Sequence, residues 1–197
     1  MLHVVIATGN AHKFRELKAL LPSRGVRYHS LAEFPGVPMV REDGKTFEAN
    51  AVKKARAVAN ATGLLALADD SGIEVQALGW GPGVKSARFA GRHGDDQANN
   101  TKLLRVLKHV TRRRARYRCV LVLAGSRHVV AKTTGTWNGR IATASHGSQG
   151  FGYDPLFIVP GLGITVGRLP AARKHQMSHR AQAARRMRRV IQRLARG

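Results

Sequence analysis

Carboxylates are scarce in this chain. Eleven Asp and Glu stand against 34 Lys and Arg in 197 residues, a formal net charge of +23. Such a surface attracts polyanions, whether nucleic acid, nucleotides or acidic membrane. A single cysteine, Cys119, excludes an internal disulfide. No apolar run approaches the roughly 20 residues that a bilayer span requires. The N-terminus lacks the order of basic, apolar and small-residue segments that marks an export signal, so a soluble, cytoplasmic protein is the expectation. Few aromatics interleave the arginines at 112–118 and 185–196, which leaves out the stacking platforms of a single-strand binder. There is no internal repeat, no low-complexity segment and no linker long enough to separate two domains. A chain of this length suits one domain with a sizeable core, with or without a small lobe.

The few acidic residues gather. Glu42, Asp43, Glu48, Asp69, Asp70 and Glu74 lie close in sequence, and none follows Asp154. Their centre is Leu64-Leu65-Ala66-Leu67-Ala68-Asp69-Asp70-Ser71-Gly72, an apolar run that reads as a buried strand. It delivers two carboxylates and a hydroxyl to a C-terminal end where Gly72 permits a sharp turn, the place where open α/β sheets bind ligands. Neighbouring strand residues point to opposite faces. Asp69 and Asp70 therefore hold different jobs, one facing a site and the other bracing a loop. The plainer alternative is a polar strand-to-turn junction capped by Asp and Ser.

Ahead of it, Leu2 to Ala7 reads as a first strand, and Thr8-Gly9-Asn10 turns into a helix that Pro22 ends, with Asn10 as N-cap. Val26 to Leu31 is a weaker strand. Thr46 caps an alanine-rich helix from about Phe47 to Ala61 that Gly63 stops. Beyond the central strand come Ile73-Glu74-Val75 and a glycine-rich loop, residues 79–84, which has neither the dinucleotide nor the P-loop spacing. Asp95 or Asp96 caps a helix from about Gln97 to Val110, and residues 111–116 form a basic connector. Tyr117 to Ala124 and His128 to Thr136 pair as a hairpin around Gly125-Ser126. Trp137 to Gln149 is loop-like, Gly150 to Pro155 forms an aromatic turn, and Phe157 to Val159 is a short strand. Ser178 caps a final helix whose Ala181, Ala184, Met187, Ile191 and Leu194 pack on the body.

Two helix starts carry cations at the end of the dipole that disfavours them: Lys13 in the first helix, His179 and Arg180 in the last. An anion bound at those ends would account for both. Phosphate there and a divalent ion at the carboxylate turn would make a nucleoside triphosphate site. Magnesium takes a few carboxylates, waters and substrate phosphate oxygens, and a carboxylate beside it would accept a proton from attacking water.

Five motifs occur in one order across almost the whole chain: Thr8-Gly9-Asn10 with Lys13, Ala68 to Gly72, Pro82-Gly83-Val84 with Ser86-Ala87-Arg88, Phe151 to Pro155, and Ser178-His179-Arg180. In these the chain resembles the inosine triphosphate pyrophosphatase family, which hydrolyses non-standard purine nucleoside triphosphates such as XTP, ITP and dITP. The resemblance implies an α/β fold, with a long mixed sheet flanked by helices in two lobes of one domain, a substrate cleft between the lobes, and a homodimer. It implies Mg²⁺ as cofactor and water attacking the α-phosphorus to release the monophosphate and pyrophosphate. By family position, Asp70 is the proton acceptor and, with Glu42, the metal ligand. Thr8, Gly9, Asn10, Ala11, His12 and Lys13 hold phosphates with Lys54 and Ser71 nearby. Phe151, Gly152, Tyr153 and Asp154 stack on and recognise the base, and Lys174, His179 and Arg180 contact the 6-oxo purine and phosphates.

The chain departs from that pattern in places. Where the family has Glu-Asn-Ala, it has Ala49-Asn50-Ala51, with Glu48 one place early; one helical residue rotates a side chain by about 100°, so Glu48 does not substitute. Trp80, Lys85 and His175 replace smaller or aromatic residues, and Ala171, Ala172 and Arg173 replace acidic ones. The family is also far less basic. Two other readings follow: a nucleic-acid-binding protein on an inactive pyrophosphatase scaffold, and a related pyrophosphatase acting on pyrimidine or modified nucleotides.

Overall fold

The computed structural model describes residues 1–197. Its strands are β1 (Leu2–Ile6), β2 (Val26–Ser30), β3 (Leu65–Val75), β4 (Gly81–Pro82), β5 (Arg114–Ala124), β6 (Val129–Ile141) and β7 (Phe157–Ile158). Its helices are α1 (Ala11–Leu20), α2 (Phe47–Thr62), α3 (Asp96–Val106), α4 (Ala171–Met177) and α5 (His179–Leu194). The strands form one seven-stranded sheet in the order β2-β1-β3-β5-β6-β7, with β4 pairing β3 off that path. β1 is parallel to both β2 and β3, whereas the β3–β4 and β6–β7 pairs are antiparallel. The expected mixed α/β sheet with flanking helices is present.

The chain divides into two compact units, residues 1–70, 119–135 and 180–197 in the first, and 71–118 and 136–179 in the second. In the first, β1, the first half of β3 and the second half of β5 bury Val4, Ile6, Leu67, Cys119, Leu121 and Leu123. Helix α1 covers them with Leu17 and its C-cap Leu21, and α5 with Ala183, Ala184, Met187 and Ile191. Those α5 positions recur at i, i+4 and i+8, so a single stripe is apolar and the rest of the helix is left to solvent. Burial pushes the Cys119 thiol up to about 12, and it behaves as a small apolar residue. The core of the second unit is Ile73, Val75, Leu103, Leu107, Tyr117, Trp137, Ile141, Leu156 and Phe157 among others.

The caps stand where the sequence puts them. Asn10 accepts from the backbone N–H of His12 and Lys13, Thr46 from Ala49, Asp95 from Ala98, and Gly63 closes α2 in the left-handed conformation.

Five segments differ from expectation. β3 does not end in a turn at Ser71-Gly72 but runs on to Val75. Gly72 serves close approach instead: a Cβ there would collide with Ser86 Oγ and lie 2.5 Å from Gly83 O, and Ser86 Oγ accepts from Ile73 N at 2.9 Å. β6 continues through Trp137 to Ile141, because alternate residues of this stretch face inward (Gly135, Trp137 and Ile141 buried, Gly139 half-buried). β5 begins at Arg114, inside the expected basic connector, with Ala115 and Tyr117 facing the core and the arginines facing out. Helix α4 was not expected, and α3 stops at Val106, short of Val110.

Candidate active site

The β1-to-α1 turn and the start of α5 converge on Asp69. Lys13 Nζ lies 3.2 Å from Asp69 Oδ2, and Arg180 Nη2 donates to the same oxygen at 3.2 Å. Arg180 Nη1 donates to Glu16 Oε2 at 2.5 Å, and Lys54 Nζ donates to the Asp69 backbone carbonyl at 2.5 Å. Asp69 is fully buried and Arg180 nearly so. Burial alone would raise the Asp69 carboxyl, but Lys13, Arg180 and Lys54 outweigh it and hold it well below the usual carboxylate range. Asp69 is therefore a permanent anion that braces three cations. Lys13 and Arg180, the cations at the two helix starts, are answered from within the protein by Asp69 and Glu16, so their positions do not by themselves call for a bound anion.

Asp70, the next residue along β3, lies in different company. Asn50 Nδ2 donates to its Oδ2 at 2.9 Å, and Asn50 Oδ1 accepts from Gly44 N at 2.7 Å. Lys54 Nζ also donates to Glu42 Oε1 at 2.8 Å. Burial raises the Asp70 carboxyl above its ordinary value, and nearby Glu42 adds to this; Lys54, Lys13 and the Asn50 hydrogen bond oppose without cancelling it. Adjacent residues thus carry carboxyls displaced in opposite directions, which is the condition for assigning one a structural role and the other a proton-accepting one. Lys54 loses by burial but gains more from Asp69, Glu42 and Asp70, and so remains a cation.

No group of three or more metal-ligating side chains occurs. Asp70 and Glu42, two carboxylates beside the same lysine, are a hard oxygen donor set of the size magnesium uses when waters and substrate phosphates complete its shell; a closed protein cage is not built. Glu48 does not join them, since its carboxylate meets Lys132 Nζ at 2.5 Å. Ala49 leaves the usual Glu position without a donor.

The second unit holds another cluster. In the 150–154 turn, Asp154 Oδ2 accepts from Phe151 N at 3.0 Å and from Lys174 Nζ at 2.7 Å, and Oδ1 accepts from Tyr117 Oη at 3.2 Å. Lys174 Nζ stands 4.6 Å over the Phe151 ring. His179 stacks on Tyr117 at 4.7 Å with the rings 10° from parallel. Gly150 has φ +80°, and a Cβ there would collide with Asp154 Oδ2, so the turn closes only on glycine. From α3, Asp96 Oδ2 accepts from Gly152 N at 2.6 Å, and Asn100 Nδ2 donates to Gly152 O at 3.0 Å. The backbone of the turn is clamped from both sides by one helical turn of side chains. Tyr153 points elsewhere: its hydroxyl donates to Ser86 O at 2.8 Å and its ring is buried.

Of the residues picked out from the sequence, Lys13, Glu42, Lys54, Asp70 and Arg180 come together in the first unit, where Thr8, Gly9, Asn10, Ala11 and His12 form the turn and first residues of α1. Phe151, Gly152, Asp154, Lys174 and His179 belong to the second unit, as does half-buried Ser71. Glu16, Asn50, Asp96, Asn100 and Tyr117 were missed. Asn50 and Lys54 left a signal, being polar residues at i and i+4 on the buried face of α2 among Phe47, Ala51, Ala55 and Val58. Tyr117 shares the inward alternation of Ala115 and Cys119. Asp96 and Asn100 left none beyond helical spacing.

A model of the Ham1 family matches residues 4–190. A protein of Thioalkalivibrio sulfidiphilus (strain HL-EbGR7) named dITP/XTP pyrophosphatase is 48% identical over 192 residues, 93% of this chain and 95% of its own length. One of the same name from Desulforamulus reducens (strain ATCC BAA-1160 / DSM 100696 / MI-1) is 47% identical over 195 residues, 98% of this chain and 97% of its own. The structure of a HAM1 protein from Coxiella burnetii superposes with a TM-score of 0.89 at 38% identity, covering 97% of this chain and 98% of that one.

Proposed function

The chain belongs to the Ham1 family, and from that premise we propose that it hydrolyses non-standard purine nucleoside triphosphates (XTP, ITP and dITP) to the nucleoside monophosphate and pyrophosphate. The observation that carries this reading is the division of labour between Asp69 and Asp70. One carboxylate is consumed by Lys13 and Arg180, and the other is raised in affinity for protons and held by a neutral amide. A water oxygen attacks the α-phosphorus, the bond from that phosphorus to the α–β bridging oxygen breaks, and the water proton passes to an Asp70 oxygen. The pyrophosphate leaves with the bridging oxygen.

The chain's own residues arrange this step. Asn50 fixes the orientation of Asp70 through one hydrogen bond and the Glu42 loop through another. Lys54 keeps its charge despite burial and, with Thr8 to Lys13, holds the phosphates. Asp70 and Glu42 would hold Mg²⁺, which when bound neutralises phosphate oxygens. Ala49 in place of a third carboxylate leaves the ion to be retained chiefly through substrate.

In the second unit, the Phe151 ring offers a stacking face, and Lys174, His179 and the fixed backbone of the turn supply donors. Arg180, in the first unit, orders the start of α5 through its pairs with Asp69 and Glu16. Donors opposite a purine 6-oxo group leave the amino group of adenine facing donors, a mismatch that penalises adenine nucleotides heavily. The enzyme acts in this proposal as a homodimer on the cytoplasmic nucleotide pool; no helix is long and apolar enough to cross a membrane.

The test is pyrophosphate release from XTP, dITP, ATP and dTTP with and without Mg²⁺. XTP and dITP are turned over, ATP and dTTP far more slowly, and chelation stops the reaction. Asp70→Asn abolishes turnover with the fold intact by circular dichroism. Equal rates on all four nucleotides, or full activity of Asp70→Asn, would remove the proposal.

A further inference from the structure

The outer face of α5 takes no part in either cluster. Its apolar stripe is spent on the core, where Ala183, Ala184, Met187 and Ile191 are fully buried. The opposite side carries Arg185, Arg188, Arg189 and Arg193, all exposed, and Arg196 follows just past the helix end. Beside it, exposed Arg24 stands just ahead of the edge strand β2. These pieces adjoin one another: the Arg188 charge reaches Tyr28 of β2, and Gly25 approaches the Ala195 carbonyl. No acidic residue lies between 17 and 32, none between 119 and 135, and none after Asp154. The two carboxylates nearest in sequence are engaged elsewhere, Glu16 by Arg180 and Glu33 by His29.

We propose that this face, formed by α5 and the β2 edge, binds the phosphate backbone of nucleic acid without sequence preference. Three features select that partner. Every cation on α5 past its first turn is arginine, whose planar fork pairs two phosphate oxygens at once. Arg185, Arg189 and Arg193 recur at i, i+4 and i+8 along one face of α5, so their stems stand about 6 Å apart over about 12 Å. That is an array for successive phosphates of a polymer rather than for the single tail of a nucleotide. Like charges at this spacing repel one another along the helix, and a polyanion relieves the repulsion. An anionic bilayer fits less well. A helix that lies in a membrane surface needs an apolar face to insert, and the apolar face of α5 is already packed inside the protein. The binding is independent of the pyrophosphatase reaction, because none of these arginines belongs to either cluster.

The experiment uses the full-length protein and fluorescence anisotropy with a labelled duplex of about 20 base pairs, a length that exceeds the arginine array. A single strand of the same length is the second probe, and both are titrated across a range of salt. Replacing Arg188, Arg189, Arg193 and Arg196 by Gln weakens duplex binding on the order of tenfold or more and lowers the salt slope by about 0.9 for each phosphate no longer neutralised. dITP turnover and the thermal midpoint stay near those of the parent. A control of equal charge, with the exposed Arg92, Arg105, Arg127 and Arg140 changed to Gln, retains most of the binding. The proposal is overturned if the first variant binds as tightly with an unchanged slope. It is equally overturned if the control weakens binding as much, which would make the effect one of net charge alone. Binding to phosphatidylserine vesicles with none to either nucleic acid would overturn it as well.

Discussion

Asn50 joins Asp70 to Gly44. Its Nδ2 donates to Asp70 Oδ2 at 2.9 Å while its Oδ1 accepts from Gly44 N at 2.7 Å. Because Gly44 sits two residues after Glu42, one buried amide sets both the direction of the Asp70 carboxylate and the path of the loop that brings the Glu42 carboxylate to Lys54. A Cβ at Gly44 would lie 2.6 Å from that Asn50 oxygen, so the bridge also accounts for the glycine.

Asn50→Ala removes both hydrogen bonds and leaves Asp70 without its neutral donor. The expected loss in turnover is about 10- to 100-fold, the usual range for partners that orient a metal-binding carboxylate, with a rise in the Mg²⁺ concentration needed for half-maximal rate. Asn50→Asp does worse, since it sets a second carboxylate against Asp70. Steady-state pyrophosphate release over a magnesium titration measures both effects; an unchanged kcat in Asn50→Ala would show that the bridge is dispensable.

Arg180 is a buried guanidinium between two carboxylates, and its loss strands Asp69 and Glu16 in part. Arg180→Met should cost about 3–5 kcal/mol, the range for breaking a buried pair by removing one partner, and lower the thermal midpoint by on the order of 10 °C for a chain of this size. The effect has a pH signature. The Asp69 carboxyl is depressed in the folded state, so its stabilising contribution is fully present above its unfolded value of about 4 and is lost as pH falls through the folded value. The stability gap between parent and variant is therefore widest at neutral pH and narrows as pH drops below about 4. Denaturant unfolding from pH 7 to pH 3 follows this directly, and a gap independent of pH would contradict it.

The clamp of Asp96 and Asn100 holds the aromatic turn through the backbone of Gly152. Removing it loosens the platform rather than the chemistry. In the double variant Asp96→Ala, Asn100→Ala, KM for dITP should rise roughly tenfold with kcat within a factor of about two, the pattern of lost uniform binding. A fall in kcat at constant KM would place the pair in the reaction step instead.

Much of the local structure was legible because it depends on neighbours in the chain. Asn10, Thr46 and Asp95 cap their helices where a short polar side chain precedes a helical run, and Gly63 stops α2. The different surroundings of Asp69 and Asp70 followed from strand alternation. The boundaries were less so. A strand that passes through Asp-Asp-Ser-Gly, or through Thr-Trp-Asn-Gly in β6, is stabilised by pairing with distant strands, and local propensity reads those residues as turns. Glu16 and Asp96 were invisible because a carboxylate on a helix is ordinarily solvated, and only the approach of Arg180 or Gly152 distinguishes these two.

The residues alone settled the chemistry available to this protein: few carboxylates, gathered around one strand, among cations in large excess. The periodicities settled which elements present them. What the sequence could not settle is which charge answers which. Lys13 and Arg180 read as sites awaiting an anion because the dipole at a helix start disfavours a cation. Only the fold brings Asp69 to within 3.2 Å of both, since that meeting joins residues more than 50 and 100 positions apart, and pairing at such range is decided by packing rather than by local preference.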